Sequence, residues 1–176
     1  MTERVAGDRA KVTITVKTDP ATAFDVFTKE TDLWWRRGPK YRVAGRHPGT
    51  LGFEPFVGGR LFESFDTGAG PVVHVMGQVT IWEPPSRLVF TWRNVNFSPE
   101  ESTEVDVRFE ADGDTTRVTV EHRGWASLRA DHPARHGLEG SAFSRMMGLW
   151  WGEMTTSYRE HIDARLSDPL NPTIGV

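Results

Sequence analysis

Cysteine is absent from this sequence, which removes disulfide staples, thiolate metal sites and a cysteine nucleophile together. Long apolar runs are missing as well. No window approaches the roughly 18 uninterrupted apolar residues of a membrane span, and Met1 to Lys11 is charged and lacks the apolar centre of a secretory signal. A cytoplasmic protein without a membrane span is the expectation. Charge of one sign is not in excess either: 24 acidic against 21 basic residues leave a net charge of −3, so no nucleic-acid partner is expected. The 17 glycines fall into neither GxxxxGK[ST] nor a strand–GxGxxG–helix context. No cofactor is therefore expected.

What is present is alternation. Val12, Ile14 and Val16 share one side of a first strand, with Lys11, Thr13, Thr15 and Lys17 on the other. Asp19-Pro20 offers an N-cap followed by proline at the first helical position, opening a short helix that ends near Lys29. Thr31 to Pro39 reads as a second short helix or turn. Because Trp34 and Trp35 are adjacent, one is expected to face inward and the other to lie at the surface. Arg36, Arg37, Lys40, Arg42 and Arg46, interleaved with Trp35 and Tyr41, superficially resemble a single-strand nucleic-acid surface; the acidic balance favours a solvated loop or cavity rim. Two hairpins follow. Val57-Gly58-Gly59 joins Leu51–Phe56 to Arg60–Phe65, and Asp112-Gly113-Asp114 turns a strand carrying Val105, Val107 and Phe109 into one carrying Val118, Val120 and His122. Between them lie alternating segments around Val73–Ile81 and Leu88–Trp92. The pattern predicts about seven strands in one domain spanning 1–176, with a core over about 11–166 and a loose tail over 167–176.

The chain is organised around its last apolar stretch, Gly140 to Leu166. Phe143, Met147, Trp150, Trp151, Met154, Tyr158 and Ile162 recur at three- and four-residue steps, one broad face of a helix. Ser141 is its expected N-cap. A stripe this apolar needs a cover, and the only other large apolar surface is the sheet. Helix on antiparallel sheet, an α+β architecture, is the simplest result. The contact is either a closed core or, where bulky groups hold the layers apart, an apolar cavity.

Chemistry is sparse. His132 and His136 have a spacing that could share a metal on a helix. Pro133 sits between them and no third ligand is near, so a solvated loop is expected and no metal. His122 faces inward at its strand's end, where burial would keep it neutral. It is the one candidate for proton transfer, but a hydrogen-bonded core histidine is the favoured reading. Glu121 and Arg123 should point away, while the facing of Glu54, Glu63 and Asp66 is not settled by alternation.

Several stretches together resemble the START-like, helix-grip superfamily, and within it the Hsp90-ATPase-activator-homologue branch. They are Asp32–Trp35 with Gly38-Pro39, Val57–Leu61, Gly77–Trp92 and Thr115–Trp125. The resemblance implies a curved antiparallel sheet gripping the C-terminal helix around a deep apolar cavity. Likeness of fold does not fix an activity. With so little catalytic chemistry legible, a binder of a small hydrophobic molecule is expected, with Trp35, Trp92, His122, Trp125, Phe143, Met147 and Trp151, at inward positions or strand ends, converging on the cavity. A polyketide cyclase or dehydratase using the same cavity is the alternative. A co-chaperone module meeting an Hsp90-type chaperone through the sheet's outer face is the third reading, and a homodimer is compatible with all three.

Overall fold

A computed structural model describes residues 8–168; most of the expected tail lies outside the described residues. The alternating segments become β1 Arg9–Val16, β2 Gly49–Phe53, β3 Arg60–Asp66, β4 Pro71–Glu83, β5 Arg87–Trp92, β6 Thr103–Asp112 and β7 Thr115–Arg123. They form one antiparallel sheet in the order β1-β7-β6-β5-β4-β3-β2. Helices α1 (Pro20–Lys29) and α2 (Thr31–Trp34) follow β1, and α3 (Gly140–Leu166) ends the fold. This is the expected helix-grip architecture.

Local chemistry accounts for these elements. Asp19 Oδ1 accepts from the Thr22 amide at 2.9 Å and Pro20 opens α1, as its sequence predicts. The sheet curls because its register slips between Leu61 and Phe62 and again between Val79 and Ile81, and extra residues in a ladder sharpen local twist. Gly77 sits beside this irregularity, where an added Cβ would lie 1.8 Å from the Thr91 carbonyl oxygen. Only glycine fits there.

On the inner face Val105, Val107, Phe109, Val118 and Val120 are buried as expected, joined by Phe24 and Phe27 of α1 and by Trp151, Met154, Tyr158 and Ile162 of α3. Each such side chain contributes about 1.5–3 kcal/mol on burial. The Tyr158 hydroxyl donates to the Ala23 carbonyl at 2.6 Å, and its ring meets Phe27 and Trp34 edge-on. Helices α1 and α3 are thereby locked together.

Four expectations are corrected. Trp34 and Trp35 are both 1% exposed: α2 ends at Trp34 and Trp35 takes an extended backbone, so helical spacing no longer separates their side chains. Leu33 is exposed there instead. Ser141 does not cap α3; the helix starts at Gly140, two residues earlier than a Ser141 cap requires, with Glu139 at the cap position and no side-chain cap bond. His132 is not solvated. It is buried against Phe97, its Nδ1 accepts from the Ala134 amide at 3.1 Å, and its Nε2 lies 3.3 Å from Glu101 Oε2 without hydrogen-bond geometry. Finally, Arg42 does not belong to a solvated basic surface. Its buried guanidinium reaches Asp32 Oδ1 at 2.6 Å and the carbonyls of Asp32 and Trp35.

The outer face holds a surprise of the same kind. Asp106, which alternates with the inward-facing Val105 and Val107 of β6 and so lies on the outer face, is 3% exposed because Arg87 grips both carboxylate oxygens, at 3.2 and 2.9 Å, and Arg108 and Arg123 close over them. Burial pushes its pKa up, but the Arg87 hydrogen bonds and the three positive charges outweigh that and hold it below the ordinary value.

Candidate functional site

A cleft of about 680 Å³ opens between the N-terminal half of α3 and one end of the sheet. Four pieces of chain frame it besides α3, one of them the turn that carries Ala134 and His136. Trp92 ends β5 and leads into the connection carrying Asn94, Asn96 and Phe97. His122 lies at the end of β7, opposite Val105 of β6. Gly124, in the left-handed region at φ 94°, then turns the chain so that Trp125 comes in beside it. From the far side the loop after α2 brings Pro39 and Lys40 to the rim.

The apolar wall is aromatic and thioether in character. Met146, Met147, Leu149 and Trp150 of α3 face Trp92, Phe97 and Trp125. Trp150 is clamped at its polar end, where its Nε1 donates to the Lys40 carbonyl at 3.1 Å. Lys40 in turn donates to Glu153 Oε2 at 2.6 Å, and the Tyr41 hydroxyl donates to the same oxygen. These bonds, Lys40 first and Tyr41 second, hold the Glu153 carboxyl below its ordinary value. The loop and α3 are thus strapped together across the cleft mouth.

Four of the seven residues picked from the sequence line this space: Trp92, His122, Trp125 and Met147. The other three stand directly behind it. Trp35 stacks on Trp92 with ring centroids 5.9 Å apart, Phe143 meets Trp125 edge-on at 4.9 Å, and Trp151 reaches His122. Met146, Leu149, Asn94, Asn96 and Arg145 are not singled out by the sequence, and His136 enters there only as a metal ligand. The first two carried a signal, since apolar residues adjoining the stripe at a helix end widen it. The others carried none.

His122 is the most constrained group in the cleft. An indole nitrogen can only donate, so the Trp151 Nε1 bond, 3.1 Å to Nδ1, makes Nδ1 an acceptor. The proton therefore sits on Nε2, 2.7 Å from Thr103 Oγ1, and Thr103 passes its own proton to the Trp92 carbonyl at 3.3 Å. The polar side-chain atoms of Trp151, His122 and Thr103 thus all have partners. Burial in apolar surroundings lowers the imidazole pKa to about 3. A neutral ring with both nitrogens engaged positions Trp92 and Trp151; it has no lone pair left to take a substrate proton.

The alternative carboxylates do not converge here. Glu63 is fully buried on β3, where its Oε2 accepts from the Ala44 amide at 3.1 Å and burial raises its pKa; it does not line the cleft. Glu54 pairs with Arg60 at the surface. His136 reaches the cleft while His132 is buried in its own turn. Among the described residues no three metal-ligating side chains gather, and no helix is long and apolar enough to cross a membrane.

Residues 17–148, three quarters of the chain, match the family described as "Activator of Hsp90 ATPase homolog 1-like protein". No curated protein matches the sequence. Among solved structures, protein NE0264 from Nitrosomonas europaea is similar with a TM-score of 0.61 at 13% identity, covering 93% of this chain and 99% of that one. The Aha1 dimer from Colwellia psychrerythraea aligns with a TM-score of 0.56 at 17% identity over 88% of this chain and 95% of that one. PFC0360w, an HSP90 activator from Plasmodium falciparum, gives 0.55 at 19% identity over 92% and 98%. Likeness at these identities establishes the fold.

Proposed function

The chain belongs to the activator of Hsp90 ATPase homolog 1-like family, and from that premise we propose that it binds a small hydrophobic molecule, aromatic or acyl-chain, in the cleft between the sheet and α3. One observation carries the reading. The stripe that is fully buried in the C-terminal half of α3 continues into the N-terminal half, yet there Met146, Met147 and Trp150 are only partly covered and face about 680 Å³ of space. That volume falls in the range of roughly 300–1,000 Å³ typical of small-molecule sites. Partly covered apolar side chains gain by completing their burial against a ligand.

The cyclase or dehydratase alternative is weaker on chemical grounds. His122 has no free nitrogen, and Glu153, held down by Lys40 and Tyr41, is a poor base near neutrality. The chaperone partner named for the Plasmodium relative, or a second copy of this chain, would engage the sheet's outer face or edges and leave the cleft free.

Titration with N-phenyl-1-naphthylamine, a neutral fluorescent probe, tests the proposal. Wild-type protein should enhance its emission saturably, with quenching of tryptophan fluorescence. Ala142→Trp, at an exposed helical position on the cleft wall, should weaken binding at least about tenfold, because the new side chain takes the ligand's space. Absence of saturable binding to the wild type, or unchanged binding to the filled variant, would refute the assignment.

A further inference from the structure

The charged groups of the cleft are not equally satisfied. Lys40 and Glu153 neutralise each other at 2.6 Å. Arg145, which also lines the cleft, makes no hydrogen bond or ion pair among the described residues. It lies three residues after Ala142 and four before Leu149, both of which line the cleft too, so all three share one face of α3. A helical side chain leans toward the N-terminus of its helix, which carries the Arg145 guanidinium toward the end of the cleft where His136 and Ala142 stand. The lining therefore holds two cations and one carboxylate, with the uncompensated cation at one end of an otherwise apolar wall.

Such a distribution selects among hydrophobic ligands. A purely apolar molecule filling the cleft would cover part of the exposed Arg145 side chain without offering its guanidinium a partner. A molecule with a carboxylate at one end would instead receive two parallel N–H···O bonds from that planar fork. The amides of Asn94 and Asn96 add further hydrogen-bonding groups to the cleft wall. Resting on the binding function proposed above, we infer that the ligand is a carboxylate-bearing amphiphile: its apolar body lies against Trp92, Met147 and Trp150, and its carboxylate is held by Arg145 beside His136.

The test displaces N-phenyl-1-naphthylamine with 2-naphthoate, with its neutral isostere 2-naphthalenemethanol, and with decanoate and decanol, so that ring and chain bodies are separated as well as charge. Wild-type protein should prefer each carboxylate to its alcohol. Arg145→Gln should weaken the preferred carboxylate by about fivefold to tenfold, the span between an exposed ion pair and a charged hydrogen bond, and leave the alcohol and the neutral probe within about twofold. Arg117→Gln, the same charge change in the distant β6–β7 hairpin, should alter neither. Equal weakening of alcohol and carboxylate in Arg145→Gln, or no carboxylate preference in wild type that still binds the neutral probe, would overturn the inference and leave the binding function standing. Failure of the neutral probe itself would remove both.

Discussion

Met147 and Met154 stand two turns apart on one stripe of α3, and nothing in the local sequence distinguishes them. Met154 is fully buried within the large core, in the half of α3 where Tyr158 packs against Phe27 and Trp34 and reaches α1. Met147 is partly covered and looks into the cleft. The stripe says which way the helix faces, and what lies opposite decides whether that face becomes core or binding wall. Opposite the C-terminal half, α1, α2 and the sheet supply enough aromatic volume to fill the gap. Opposite the N-terminal half, the Trp92–Phe97 connection and the turn at Trp125 are braced on a second, smaller cluster with Leu128 and Phe143. There Phe97, Trp125 and Leu128 pack against Phe143 at the start of α3, and the space beside Met147 and Trp150 is left unfilled.

The sharpest way to break the comparison is to truncate its closed side. Met154→Ala should cost about 2–5 kcal/mol in denaturant unfolding, the transfer loss plus an unrelaxed cavity. A cost below about 1 kcal/mol would mean that this half of α3 also borders a void.

The next effect belongs to His122, which sits on the boundary, bonded to Trp151 and lining the cleft. Its folded pKa of about 3 lies below the ordinary 6.5, so between these values the unfolded chain takes up a proton that the folded chain refuses. Its contribution is complete above pH 6.5 and is lost as pH falls toward 3, by about 1.4 kcal/mol per pH unit. His74, also lowered by burial and then by Arg93, acts in the same direction, while buried Glu63, raised, acts in the opposite one near the carboxylate range. Unfolding measured from pH 6.5 to 5 should therefore show stability falling with acid, and the His122 imidazole should remain neutral by NMR throughout. An imidazole titrating near 6.5 would show that the ring is solvated and free for chemistry.

The smallest effect is expected on the open side. Met147→Ala should cost less than about 1 kcal/mol, since a side chain already bordering space leaves little new cavity, while lowering the affinity for N-phenyl-1-naphthylamine. Equal costs for Met147→Ala and Met154→Ala would erase the distinction between core and binding wall.

Much of this fold follows from the residues in order. Strict alternation in β1, β6 and β7 requires the valines and Phe109 to share a face, Asp19-Pro20 requires a helix start, and the three- and four-residue steps from Phe143 to Ile162 require one long amphipathic helix. These are local properties, because backbone period and capping act over a few residues. The same logic pointed His122 inward. What the imidazole does there was set by Thr103, 19 residues away, and Trp151, 29 residues away, and no periodicity brings those three together. Asp106 is buried on the outer face because arginines on β5, β6 and β7 converge over it, although alternation alone would leave that side of β6 to solvent. Trp34 and Trp35 both turn inward because α2 stops between them, a termination held by the tertiary bonds of Arg42 to Asp32 and to the Trp35 carbonyl. The cleft is the extreme case. Lys40 meets Glu153 across 113 residues of chain, and an unfilled volume is the remainder left after side chains from several separate segments have packed, a quantity that no single segment carries.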